Sequence, residues 1–161
     1  MTNNSPIDYI DFINYNVNSF EYRRNNKLKK SIANNLRVEN KFQANIYFSI
    51  KKSNEALINI KAEIGGLERQ DSPFILSVDL SGAFKFSFNK GDFSDEQKYN
   101  ALKEKLSTDG NNLMFPYVRT LISELTLKSN MFPSCVLPIV DFAKLLKDKG
   151  KIEYFNLDNK D

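Results

Sequence analysis

The stretch Asn111–Phe142, NNLMFPYVRTLISELTLKSNMFPSCVLPIVDF, decides how the rest of the chain is read. Leu113, Tyr117, Leu121 and Leu125 recur at i, i+4, with Met114, Val118 and Ile122 beside them. That spacing predicts a helix whose apolar arc is wide for an element lying on a single surface, so something should pack on both of its sides. Pro116 fits if it lies in the first turn, where its missing N–H is not needed; deeper in, it would kink the helix. Beyond the helix, Pro133 and Pro138 are threaded through Phe132, Cys135, Val136, Leu137, Ile139 and Val140. A connection this apolar calls for a reason, because loops normally run over the surface in water.

On either side the pattern is easier to place. DFAKLLKDKG reads as a short helix with Asp141 as N-cap and Gly150 just past its end. The tail 151–161, like residues 1–8, is expected to be loosely held. Upstream, FSDEQKYNALKEKL opens with Ser94 and Gln97 in capping-box spacing and places Tyr99, Leu102 and Leu106 at helical intervals, with Asp109-Gly110 as its break. The first half alternates instead: Ile46, Phe48 and Ile50; then Ile58, Ile60, Ala62 and Ile64; then Phe74, Leu76, Val78, Leu80, Phe84, Phe86 and Phe88. Period-2 spacing of this kind marks strands covered on one face. Gly82 sits where a bulge or bend is expected. Ile13, Tyr15 and Val17 hold one phase and Phe20 and Tyr22 the other, which suggests a further strand with a bulge. IGGLER reads as a hairpin connection. Strands first and helices after imply one α+β domain over 1–161, with a four-stranded antiparallel sheet and helices packed on one face.

Composition bounds the chemistry. A chain of 161 residues with no histidine and one cysteine excludes histidine acid–base catalysis, Cys–His nucleophiles and the usual zinc sites. No glycine-rich phosphate loop is present. No catalytic residues, metal ligands or cofactor are therefore expected, nor an enzyme. No apolar run reaches the ~18 residues of a membrane span, the start lacks the order of a signal peptide, and a lone Cys135 suits the cytoplasm. The net charge is +3. Arg23, Arg24, Lys27, Lys29 and Lys30 cluster, as a solvated loop or, on a lower reading, as a nucleic-acid contact. Glu63, Glu68, Asp71 and Asp79 read as a solvated strand face rather than a metal site.

Several residues carry a resemblance. LMFPYVRTLISELTLKSNMFPSCVLPIVDF resembles the signature of the SecB-like export chaperones: a helix opening on aromatic-Pro-Tyr-x-Arg, a Phe-Pro loop, then Leu-Pro and an Asn/Asp-Phe pair. Phe115, Pro116, Tyr117, Arg119, Phe132, Pro133, Leu137, Asp141 and Phe142 stand at matching spacings, and SPFILSVDLSGAFKF and NSFE resemble two of the family's strands. The resemblance implies a dimer of dimers, a homotetramer with the long helix sandwiched at its centre, so that Leu113, Tyr117, Val118, Leu121 and Ile122 would form the oligomer interface. It implies ATP-independent holding of unfolded preproteins in apolar grooves, which keeps them translocation-competent. The alternative within the same resemblance is a chaperone that holds the antitoxin of a toxin–antitoxin pair.

The client groove would be lined by Phe132, Leu137 and Phe142 in the loop, which is then a groove wall held open by its prolines. Ile46, Phe48 and Ile50 read equally as plain sheet core or as client groove; Phe84, Phe86 and Phe88 read as core, and Cys135 as a small buried hydrophobe. Export members dock their motor ATPase SecA through acidic residues on the sheet. This chain retains Glu21 but has Val17 and Ser77 at two such positions, so weak or absent binding of SecA is expected.

Overall fold

The alternating segments form strands β1 (Ile10–Arg24), β2 (Asn40–Ser49), β3 (Glu55–Gly65) and β4 (Phe74–Phe86), joined antiparallel in the order β1-β4-β3-β2. The computed structural model describes residues 9–28, 38–92, 94–130 and 133–159. A fifth strand, β5 (Ile152–Asn156), adds to the free edge of β2 in parallel, Ala44 opposite Ile152 through Phe48 opposite Asn156. The sheet is thus five-stranded and mixed, which corrects the four-stranded antiparallel expectation. It also corrects the loosely held tail for residues 152–156. The reason lies past the strand, in the turn Leu157–Asn159. There the Asp158 carboxylate accepts hydrogen bonds from the Ser49 hydroxyl at 2.7 Å and the Ile50 N–H at 2.8 Å, and also from the Lys51 N–H.

β1 carries two register shifts against β4, between Phe12 and Asn14 and between Val17 and Ser19. They account for the phase slip seen in its sequence. Gly82 is not a bulge: β3 and β4 pair without a shift through Ile58 opposite Gly82. A Cβ on Gly82 would run into the Met114 thioether, so the glycine is where the helix layer seats on the sheet.

The even-numbered apolar residues of β2, β3 and β4 point to one face and, apart from the partly buried Phe42, are buried there, with Leu102, Leu106, Met114, Phe115, Val118 and Ile122 packed over them. These come from α1 (Glu96–Lys105) and α2 (Asn111–Lys128), which are joined by a π turn, Leu106–Gly110. Asp95, rather than Ser94, caps α1 by accepting from the N–H groups of Gln97 and Lys98. Asp109-Gly110 does not break the helical run. Gly110 has helical φ −64 and ψ −48, and a Cβ there would strike Ile58 Cδ1. Its role is close approach to the sheet.

Pro116 lies inside α2, past the first turn. Its ring is exposed, so the carbonyl it cannot serve faces water rather than the core. α3 (Phe142–Asp148) is capped by Asp141, whose carboxylate accepts from the Lys144 N–H at 3.1 Å, and ends at Gly150 with φ +62. Among the described residues no helix is long and apolar enough to cross a membrane.

Candidate functional site

The loop between α2 and α3 is fastened to α2 at several heights. Ser134 bonds to Ser123 at 2.9 Å, and the Cys135 N–H donates to Thr126 Oγ1 at 2.8 Å. Arg119 Nε donates to the Leu137 carbonyl at 2.9 Å. At the far end Asn112 donates to Asp141 at 3.3 Å and accepts from the Ala143 N–H at 3.0 Å. The Lys144 N–H and then Asn112 hold the Asp141 carboxyl below its usual range. From Thr126 back to Asn112 is roughly 21 Å along a helix rising 1.5 Å per residue. The segment from Cys135 to Asp141 reaches about 20–22 Å only when drawn nearly straight. The loop is an extended segment laid antiparallel along α2, with no turn or bend between Pro133 and Asp141.

This arrangement sorts its side chains. Leu137 points in and is buried, and Cys135 is half-buried, where desolvation pushes its thiol above the ordinary value and leaves it an inert small hydrophobe. Val136 and Ile139 point out and are 68% and 86% exposed, with Val140 beside them. No charged residue stands between Pro133 and Val140. A second apolar strip runs along β1. Val17 pairs with Leu80 and Phe20 with Val78, and directly opposed residues share a face, so both lie on the helix side of the sheet. There they are exposed, together with Tyr15, whose ring sits 4.3 Å from that of Tyr117. The surface available to an apolar partner is therefore the outer rim of the loop and the uncovered margin between β1 and α2.

The residues expected from sequence fall elsewhere. Ile46, Phe48 and Ile50 are core residues under the helices, so the sheet-core reading holds for the single chain. Leu137 and Phe142 are also buried; Phe142 stacks on Phe115 at 4.3 Å and 8° and meets Phe42 edge-on at 5.2 Å. In the single chain both side chains are turned inward, away from the open surface expected of a groove lining. Phe132 lies outside the described residues. Of the expected interface residues, Val118 and Ile122 are 0% exposed within their own chain, whereas Leu113 is exposed and Tyr117 and Leu121 are half-covered. Their i, i+4 spacing shows that one stripe faces the sheet, but not which. The exposed apolar residues are instead Val136, Ile139 and Val140 of the loop and Tyr15, Val17 and Phe20 of β1, which sequence spacing did not single out, since Ile139 shares its parity with buried Leu137.

The polar features do not assemble into chemistry. Lys41 pairs with Glu63 at 3.7 Å and Arg69 with Asp71 at 2.9 Å, while Asp79 accepts from Asn18 and Asn59. No group of three or more His, Cys, Asp and Glu that could hold a metal occurs among the described residues. In the basic segment Arg23 pairs with Glu21 at 2.9 Å; Lys29 and Lys30 lie outside the described residues. A broad trough of about 660 Å³ is lined by Glu21, Lys41, Lys61, Glu63, Asp79 and Lys151, of mixed charge. Ser77 faces Glu21 on the outer side of the sheet, whereas Val17 is on the helix side, so these positions do not make one patch.

Comparison with known proteins fits this geometry. The family model described as preprotein translocase subunit SecB matches residues 17–152. An uncharacterized protein of Methanocaldococcus jannaschii is 24% identical over 155 residues, covering 94% of this chain and 92% of its own. A SecB-like chaperone of Mycobacterium tuberculosis, solved in complex with a peptide from the HigA1 antitoxin, superposes with a TM-score of 0.62 at 15% identity. The match covers 81% of this chain and 87% of the other, and at that identity it speaks for the fold.

Proposed function

The chain belongs to the SecB family, and on that premise we propose that it is a holdase: it binds apolar stretches of unfolded polypeptide without ATP and keeps them from aggregating. The observation that carries the reading is the loop Pro133–Val140, held straight along α2 with Val136 and Ile139 turned to water. An exposed apolar rim of this kind costs solubility unless a partner covers it. Each aliphatic or aromatic client side chain laid on it contributes about 1–3 kcal/mol by area removed from water. A few such contacts give micromolar affinity with no requirement for a particular sequence.

The test is suppression of aggregation by an unfolded client. The double substitution Val136→Ser with Ile139→Ser should abolish suppression and leave the melting temperature within a few degrees of wild type. Undiminished suppression would overturn the reading.

A second reading of the same surface is that the client is an antitoxin, and the antitoxin peptide bound by the M. tuberculosis neighbour favours it. An antitoxin encoded beside this chain's gene would then be stabilised on co-expression, whereas a preprotein client would not depend on that gene. The assembly we propose is a homotetramer joined through Leu113, Tyr117 and Leu121, which remain uncovered or half-covered on α2. A monomer mass by light scattering at micromolar concentration would refute it.

A further inference from the structure

Residues 42–50, FQANIYFSI, contain no charged residue, proline or glycine and are rich in aromatic and β-branched side chains. They make up most of β2. In the sheet order β1-β4-β3-β2-β5, only the short β5 separates this run from the edge. A long uncharged strand at a sheet edge is a template on which another strand of the same kind pairs. β5 replaces that edge by a shorter one, with Glu153 exposed on it and Lys151 exposed beside it. Short edges that carry charge are one way folded proteins resist such pairing.

β5 is held at a few identifiable points. Its parallel ladder with β2 is slightly weaker per residue than an antiparallel one. Where the ladder begins, the Ala44 N–H donates to the Lys151 carbonyl at 2.9 Å. Further along, the Phe155 ring stacks on Tyr47 at 4.8 Å and 14°, and Asn156 donates to the Tyr99 hydroxyl at 3.1 Å. Past the strand, the Asp158 carboxylate fastens the tail to Ser49, Ile50 and Lys51, at the very end of the uncharged run.

We infer that β5 is a guard strand: it keeps β2 from pairing with the β2 of a second copy of this chain, and Asp158 is the catch that holds it closed. The inference is independent of the holdase reading. A second copy is the occupant that the opened edge selects. Two identical edges laid antiparallel match outward N–H groups with carbonyls by two-fold symmetry. No charge within residues 42–50 opposes the contact, and no proline interrupts it.

The experiment compares the full-length wild type with Asp158→Ala and with Asp158→Ala combined with Asn45→Lys. Asn45 lies midway along β2, half-buried on the outer face of the sheet, so lysine there puts a charge into the run without entering the core. Hydrogen exchange at the Ala44 amide should be roughly tenfold faster or more in both variants, with the amides of β3 and β4 unchanged. By light scattering, Asp158→Ala should grow in mass with concentration beyond wild type, and the added Asn45→Lys should return it to the wild-type mass. An unchanged Ala44 amide would show that Asp158 is not the catch and would overturn the inference. Faster exchange throughout β3 and β4 would do the same, because Asp158 would then support the whole fold rather than one strand. The inference also falls if Ala44 exchanges faster while the mass stays that of wild type. Growth that persists with Asn45→Lys would place the contact on another surface and refute it as well.

Discussion

Replacing Phe142 by alanine removes a ring that is 0% exposed, stacked face to face on Phe115 at 4.3 Å and edge-on to Phe42 at 5.2 Å. Truncating a buried phenylalanine costs about 3–5 kcal/mol, the lost transfer energy plus the cavity left behind. Two well-oriented aromatic pairs place this site in the upper part of that range, and Asp141 and Ala143, both bonded to Asn112, limit how far α3 can collapse into the gap. We expect about 4 kcal/mol. For a domain of this size each kcal/mol lowers the melting temperature by about 2–4 °C, so the variant should melt roughly 8–16 °C below wild type. Ile139→Ala, three residues upstream but 86% exposed, should change stability by less than about 0.5 kcal/mol. The assay is a thermal melt of the three proteins beside their suppression of client aggregation. If Phe142→Ala melts with wild type yet no longer holds clients, the ring is a groove residue in solution and the packing argument is wrong.

Gly110→Ala drives a methyl into Ile58 Cδ1 and should cost about 1–3 kcal/mol despite alanine's better helix propensity. Adding Ile58→Val removes that carbon, so a double-mutant cycle by urea unfolding should show the pair less destabilised than the sum of the singles. Arg119→Ala frees the Leu137 carbonyl and should cost about 1.5 kcal/mol, with faster proteolysis between residues 133 and 141. At Asp158, burial alone would raise the carboxyl; bonds from the Ser49 hydroxyl and the Ile50 and Lys51 N–H groups outweigh it and hold the group below its ordinary value of 3.8. A depressed carboxyl stabilises the fold fully above its unfolded value and loses that contribution as pH falls through the folded one. The stability gap between wild type and Asp158→Asn should therefore be present at pH 7 and shrink below pH 3.8. A gap that does not change with pH would exclude the ionised carboxylate as its cause.

The sequence by itself determined the elements that obey a local period. The alternation of β2, β3 and β4, the phase slip that became the two register shifts of β1, the Asp141 cap and the long amphipathic run of α2 were all legible, because each depends on neighbours within a few residues. Tertiary structure alone decided the rest. Gly82 and Gly110 look like a bulge and a break in one dimension; in three they are the two points where helix and sheet come too close for a Cβ. β5 is five residues whose strand character depends on a free edge of β2 and on Asp158 reaching residues 49–51. For the functional surface, composition announced an apolar loop but not its two sides. Only the bonds from Thr126, Arg119 and Asn112 fix which way the extended loop faces. They turn Leu137 into the core and leave Val136 and Ile139 exposed.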